Sequence, residues 1–385
     1  MKRSILLSNT YLLTFLLSFH AYLFLYINGS ILEEHMSVRS VGLLFSLAAL
    51  LSIPVLLYLP HALKLFGSIR FTALALLIEG LALFGLTFAP SVALIALSFI
   101  AHYVLVRVLF FDTDIILETL SFDAETGRLR GIFMAAGNTA LLLSPLFVGL
   151  LLDDGTEYTR IFFASLFALV PAVLLLLFSF RGFKDSTHTR LQLIPALRSV
   201  WRHPALRNIF SANLVLRMFY AAMVVYTGLY LHQSMGMSWE KIGIAFTVML
   251  IPFAVLEYPL GRLADTRFGE KEIMFGGFLM TALATALVTW VTSGSVLVWS
   301  LVLLATRIGA AAVEIMTETY FFKHVSKDDV ETVSLYRIVE PMGYIVAPLI
   351  FSVFLTFIDM RFIFLVLGLF VLSGLIPTLR LRDTK

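Results

Sequence analysis

The stretch RVLFFDTDIILET, residues 107–119, returns two hundred residues later as RIGAAAVEIMTET, residues 307–319. The alignment has no gap and pairs Arg107 with Arg307, Asp114 with Glu314, Glu118 with Glu318 and Thr119 with Thr319. Both copies end long apolar runs, where charge is expensive. At helical periodicity Arg107, Asp114 and Glu118 fall at about 0°, 340° and 20°, a single stripe about 16 Å long. Arg307, Glu314 and Glu318 make the same stripe; Asp112 lies on another face. Such a stripe faces the interior of a bundle or a water-filled cavity, not lipid.

The rest of the chain explains the setting. Of 385 residues 59% are hydrophobic and 14% charged, where a soluble domain has about 25% charged. Twelve apolar runs are long enough to cross a bilayer: 8–28, 38–59, 70–88, 92–117, 131–152, 160–180, 208–231, 239–261, 272–292, 295–320, 333–356 and 361–378. The first is too long for a cleaved leader and has no small-residue cleavage site after it, so it is expected to stay as a span. The absence of Cys removes disulfides and thiolate metal sites. A net charge of +3 is too small to suggest nucleic acid.

Lysine and arginine set the orientation. Twenty of the twenty-eight fall in the segments that are inside if the N-terminus is cytoplasmic. Four fall outside (Arg39, Arg160, Lys241 and Arg361) and four within spans. Both termini are therefore expected in the cytoplasm, with the chain multi-pass in a plasma or inner membrane.

The longest polar connection divides the chain into a six-helix bundle over 1–180, a linker over 181–207 and a second bundle over 208–385. Further matched pieces support a duplication: MSVRSVG (36–42) with MSWEKIG (237–243), LFG (65–67) with RFG (267–269), and SPL (144–146) with APL (347–349). Two parallel repeats place an axis along the membrane normal and a central cavity between them, a transporter architecture. The fold class is all-α, polytopic, with twelve spans in two pseudo-symmetric halves. Within the linker, residues 190–207 alternate apolar residues with Arg198, Arg202 and Arg207, and read as a short amphipathic helix on the membrane surface.

These residues resemble the major facilitator superfamily over essentially the whole chain. Its loop motif between spans eight and nine is matched by GRLADTRFGEK (261–271), with Gly261, Asp265, Arg267 and Gly269 recognisable. The first-half counterpart PHALKLFG (60–67) departs from it, with Pro60 for the glycine and Lys64 for the acid. Arg107 matches the family's arginine in span four. Span five is similar to the glycine-rich pattern of drug:proton antiporters at Gly131, Ser144, Pro145 and Gly149, although Ala140, Ser144 and Val148 replace three glycines. Ordinary tight helix packing explains the same small residues.

The resemblance implies that spans four and ten line the cavity and that their cytoplasmic ends meet when the inner gate closes. Arg107, Asp114, Glu118, Arg307, Glu314 and Glu318 would then share one gate. Two guanidinium groups neutralise two of four acids. The surplus is met by protons, a cationic substrate or water, which would couple protons to alternating access. The alternative is that each arginine pairs with an acid on its own stripe as structural glue. His20, Arg217 and Tyr220 lie on spans that line the cavity in this family, and an arginine there suits an anionic group. Asp265, near the N-terminal end of span five around Arg130, would latch the gate. Glu257 is expected to pair with a nearby arginine, and Glu79 and Asp112 have no assigned role.

No catalytic triad order, phosphate-binding glycine loop or metal-ligand spacing stands out, and GxxxxGK[ST] is absent. The expectation is a transporter rather than an enzyme, without cofactor or metal, working as a monomer in the bilayer. Its partners are a small organic solute and protons, and its direction is export. A proton symporter or facilitator for a nutrient, metabolite or lipid is the alternative within transport. A non-transporting sensor or assembly factor is the alternative outside it.

Overall fold

A bilayer offers no water to backbone amides, so an apolar chain crosses it by closing its hydrogen bonds within helices. The computed structural model describes residues 2–120, 126–152, 157–180, 183, 193–325 and 330–381. Among them there is helix and no strand. The first half holds α1 (Lys2–Leu25), a short α2 (Asn28–Glu33), α3 (Val38–Phe66), α4 (Ser68–Phe88), α5 (Val92–Leu120), α6 (Thr126–Leu152) and α7 (Thr159–Ser179). After α8 (Leu193–Arg202), the second half holds α9 (Pro204–Leu229), α10 (Trp239–Val255), α11 (Glu257–Thr266), α12 (Glu270–Val288), α13 (Val296–His324), α14 (Val330–Phe354), α15 (Ile363–Leu372) and α16 (Leu375–Leu379).

Eleven of the described helices are long and apolar enough to cross a membrane. The eighth expected span, 239–261, is corrected to a broken pair: α10 stops at Val255 and α11 restarts at Glu257. Pro259 in the first turn of α11 supplies the reason. It has no amide hydrogen, and its ring collides with the carbonyl four residues back. The expected loop over 60–67 is also corrected. Helix α3 runs through Pro60 to Phe66, and the turn falls on Gly67 alone, at φ +76°, a left-handed conformation that favours glycine. Helix α9 continues into a π turn over Tyr230–Ser234, closed by Met235 N–H on the Tyr230 carbonyl at 3.1 Å.

The chain forms two compact units. The first comprises Met1–Ser37, Leu47–Arg190 and Ser238–Gly243; the second comprises Val38–Ser46, Leu191–Met237 and Ile244–Lys385. Within the first, Leu59 and Leu63 of α3 pack with Val108 and Ile115 of α5. On α7 the bared side chains Phe163, Phe167, Val170, Leu174 and Phe178 recur every three or four residues, the pattern of one face given to lipid. The polar residues turn inward. Buried Thr10, Thr14, Thr281 and Thr285 each donate to the carbonyl one turn back, so a hydroxyl is carried inside without an unmet donor.

Helix α8 keeps Val200 buried while Leu197, Trp201, Arg198 and Arg202 are exposed. Leu197 and Trp201, one turn apart, give it an apolar outer strip beside its arginines, suited to a membrane surface. Residues 190–192 of the expected amphipathic stretch lie outside the described residues.

Candidate functional site

In the second unit the charged residues of α9 and α13 meet. Asn213, Arg217 and Tyr220 share one face of α9, spaced four and three residues apart. The Arg217 Nη1 group lies 2.9 Å from Glu314 Oε1, and its Nη2 lies 4.0 Å from Glu318 Oε1. Its Nε donates to Asn213 Oδ1 at 3.2 Å. The Tyr220 hydroxyl donates to the other Glu314 oxygen at 2.9 Å. Glu314 thus accepts from two residues of α9, one on each oxygen. Gly343 of α14 makes room for this: a Cβ there would sit 2.6 Å from the Arg217 carbonyl carbon.

Arg307 lies deeper, 2% exposed. Its guanidinium sits 5.3 Å from the ring centroids of both Phe219 and Tyr220, a cation–π arrangement that partly replaces lost water. Its Nε has no hydrogen-bond partner among the described residues. The site therefore combines one arginine held by a carboxylate and one held mainly by aromatic faces. Glu318, about half exposed, stands at its open side.

The first-unit copy of the stripe has different partners. Arg107 donates to the Tyr103 hydroxyl at 2.7 Å and lies 3.7 Å above that ring. Asp114 takes Arg130 of α6 at 2.8 Å, and Glu118 is exposed. Arg107 thus reaches Tyr103 one turn back on α5, while Asp114 reaches a neighbouring helix. Asp112 is wholly buried and accepts from Thr72 of α4.

His20 is buried within the first unit, its Nδ1 2.5 Å from Ser165 Oγ and its Nε2 3.1 Å from Glu79. His102, which the sequence did not single out, lies 2.5 Å from the same Glu79 oxygen. Its signal was available: a histidine in an apolar span that also carries Arg107 and Asp112. Ser144 donates to the Ala140 carbonyl at 2.7 Å. A Cβ on Gly149 would meet the Trp239 carbonyl at 3.0 Å, and one on Gly243 would run into the Pro145 carbonyl. Pro145 and Gly149 are thus a close-packing surface for Ser238–Gly243. Gly131 is not part of it: it is exposed and a Cβ there meets nothing within 4 Å, because it lies near the start of α6, away from that contact.

In the loop motif, the Gly269 amide donates to Glu272 Oε2 at 3.1 Å at the start of α12. Gly261 is open on its Cβ side, and Arg267 lies 5.4 Å over the Phe268 ring. The side chains of Asp265 and Glu257 lie outside the described residues. The neighbouring Glu270 is buried and pairs with Lys323 at the end of α13. Counting Lys323 only as a topological charge missed that partner.

Two repeats of membrane-crossing helices with ionisable groups inside each define a membrane transporter. The sequence matches the profile of the Major Facilitator Superfamily over residues 10–246 and 240–385, and the chain belongs to that family. Three solved structures show the same fold. The nucleoside transporter NupG is 13% identical with a TM-score of 0.77, covering 97% of this chain and 98% of that one. The human organic anion transporter MFSD10 (TETRAN) is 16% identical with a TM-score of 0.66, covering 98% and 99%. A bacterial homolog of the human lysosomal transporter Spinster, inward-facing and occupied, is 13% identical with a TM-score of 0.71, covering 98% and 93%. No curated protein matches the sequence.

Proposed function

We propose that this membrane transporter is a proton-coupled secondary carrier that exports a small organic solute by alternating access. The observation that carries the coupling is the carboxylate of Glu314, which accepts from Arg217 on one oxygen and from Tyr220 on the other. Glu314 acts as a built-in anion. A solute carboxylate or phosphate that takes Arg217 displaces Glu314, and the displaced acid is stabilised by taking a proton. A cationic solute instead takes Glu314 or Glu318 from the arginines. A cationic solute and the proton then compete for one carboxylate, which is the requirement for antiport, whereas an anionic solute and the proton enter together, which is symport.

Arg107, Asp114, Glu118, Arg307, Glu314 and Glu318 are the coupling and gate residues in this reading. Arg217 and Tyr220 line the solute path, and the 261–269 loop serves as latch. Export rests on the span-five likeness, which Pro145 and Gly149 support and Gly131 does not. A second reading, proton symport or facilitated passage of an anionic solute, is favoured by Arg307, a deeply buried cation whose Nε has no partner among the described residues.

The test uses inverted membrane vesicles energised to an acidic interior and loaded with a pH-sensitive dye. Cationic, zwitterionic and anionic compounds are added in turn, with Glu118→Gln/Glu318→Gln vesicles as control. Proton release by one charge class, in the unmodified protein only, establishes antiport. Solute counterflow without proton movement establishes a facilitator. Neither response to any class leaves the non-transporting alternative.

A further inference from the structure

The charge network of α9 and α13 leaves one buried cluster of the first unit unused. His20 of α1, Glu79 of α4 and His102 of α5 converge with exposures of 1%, 0% and 3%. Glu79 stands about 15 Å from either end of α4, so the cluster is deep in the apolar layer. One ligand atom from each residue lies within 4.8 Å of the others. Both histidines approach the same carboxylate oxygen, His102 Nδ1 at 2.5 Å and His20 Nε2 at 3.1 Å.

Hydrogen bonding alone does not complete this cluster. Glu79 Oε2 and His20 Nε2 are both buried without a hydrogen-bond partner among the described residues. His20 Nε2 is close enough to Glu79 Oε1 but not aligned with it. Buried polar atoms are nearly always satisfied. A proton on the His102–Glu79 pair satisfies those two groups and leaves the other two atoms as they are.

A metal ion gives His20 Nε2 a partner. His20 Nε2 and Glu79 Oε1, 3.1 Å apart, are spaced like two corners of a tetrahedral shell, whose edges are about 3.3 Å for bonds of about 2.0–2.1 Å. Two imidazoles and a carboxylate are a donor set of zinc sites that keep a fourth position for water. Co²⁺, Ni²⁺ and Cu²⁺ accept the same set. Ser165 of α7, 2.5 Å from His20 Nδ1, takes the outer role that orients a ligating imidazole by its second nitrogen. With hydroxide in the fourth position, a dication and one carboxylate make a neutral assembly, as an apolar interior demands. His102 Nδ1 would draw back from Glu79 Oε1 by about 0.8 Å to reach the tetrahedral spacing.

We infer that His20, Glu79 and His102 form a buried site for a divalent transition-metal ion of the zinc class, tying α1, α4 and α5 together, with Ser165 as the positioning residue for His20. The inference is independent of the transported solute and of proton coupling.

The full chain in detergent micelles is stripped with chelator and titrated with Zn²⁺, and with Co²⁺ as the spectroscopic probe. The expected result is a single saturable equivalent, a visible Co²⁺ spectrum of nitrogen and oxygen ligation with low coordination number, and a melting temperature raised by Zn²⁺. Glu79→Gln and His20→Gln abolish that spectrum. Ser165→Ala touches no ligand and keeps the bundle closest to native; it lowers the affinity by about 10- to 100-fold. Absence of saturable binding to the stripped protein overturns the inference. So does an affinity unchanged in Ser165→Ala or in Glu79→Gln, which would place the ion elsewhere.

Discussion

Arg107 and Arg307 hold equivalent positions in the two sequence repeats and find different surroundings. Arg107 is half-buried and bonds the Tyr103 hydroxyl on its own helix at 2.7 Å. Arg307 is 2% exposed and lies 5.3 Å from the ring centroids of both Phe219 and Tyr220 on another helix. The acids diverge as well: Asp114 pairs with Arg130, Glu314 with Arg217. A duplicated sequence has become two different charge networks because the neighbouring helices supply different partners. The second unit, where arginines and acids are most enclosed, is the better place for a solute to exchange with an internal ion pair.

Glu314→Gln tests that exchange. Truncating one partner of a buried ion pair destabilises by about 3–5 kcal/mol because the other charge is stranded. Arg217 and Glu314 retain 15% and 24% side-chain exposure, so the loss falls below that range. Transport is expected to fall and its response to pH to flatten, while Tyr220→Phe, which removes one neutral donor, costs about 1 kcal/mol. Thermal melts and uptake assays on both variants check this. Equal effects of the two substitutions would rule out a special role for the ion pair.

How much was legible beforehand depended on the range of the interaction. Helix periodicity and apolar length are local, so the spans and the repeat were visible in the sequence. Proline effects are local too, yet the break at Leu256 was missed because apolar content continues across it. Pairing across helices is not local. Arg217, His20 and Glu79 were noticeable as polar residues in apolar runs, but nothing in one strand of text says that Glu79 meets two histidines 59 and 23 positions away. Likewise Lys323, counted for topology, closes on buried Glu270 only once α12 and α13 are packed.

A glycine packed against span five and a glycine open within it predict opposite outcomes for one substitution. Gly243→Ala drives a Cβ into the Pro145 carbonyl and against Gly149, backbone that cannot step aside. Overpacking of this kind costs about 1–3 kcal/mol. Gly131→Ala meets open space and removes a flexible residue from a helix, a gain of about 0.5–1 kcal/mol. Melting temperatures in detergent should therefore move in opposite directions. A loss in both would mean that Gly131 is packed.

Tyr158, just outside α7, gives a pH dependence. Its ring is 7% exposed; burial, then the Glu34 and Glu33 carboxylates, pushes its phenol above the ordinary value. The folded protein holds this proton more tightly than the unfolded chain, whose tyrosine ionises near about pH 10. The contribution is full below that pH and declines above it by about 1.4 kcal/mol per pH unit until the folded group ionises. Tyr158→Phe should lessen the alkaline fall in melting temperature. An identical alkaline limb in the two proteins would refute the assignment.

The gate prediction concerns Glu118 and Glu318, the most open acids of the two stripes. Glu118 is exposed, and Glu318 is 4.0 Å from Arg217 with about half its side chain in solvent. Both are more exposed than Asp114 and Glu314. If they carry the coupled proton, Glu118→Gln and Glu318→Gln keep solute binding and counterflow but lose the dependence of net transport on pH. The glutamine is nearly isosteric and cannot ionise, so packing is held constant while charge is removed. Stabilities are expected within about 0.5 kcal/mol of the parent, as for surface substitutions. Counterflow and pH-jump uptake measured on the same vesicles separate the two effects. Unchanged pH dependence in both variants and in the double variant would exclude these acids as the coupling groups and leave the coupling to Glu314, bound to Arg217 and Tyr220.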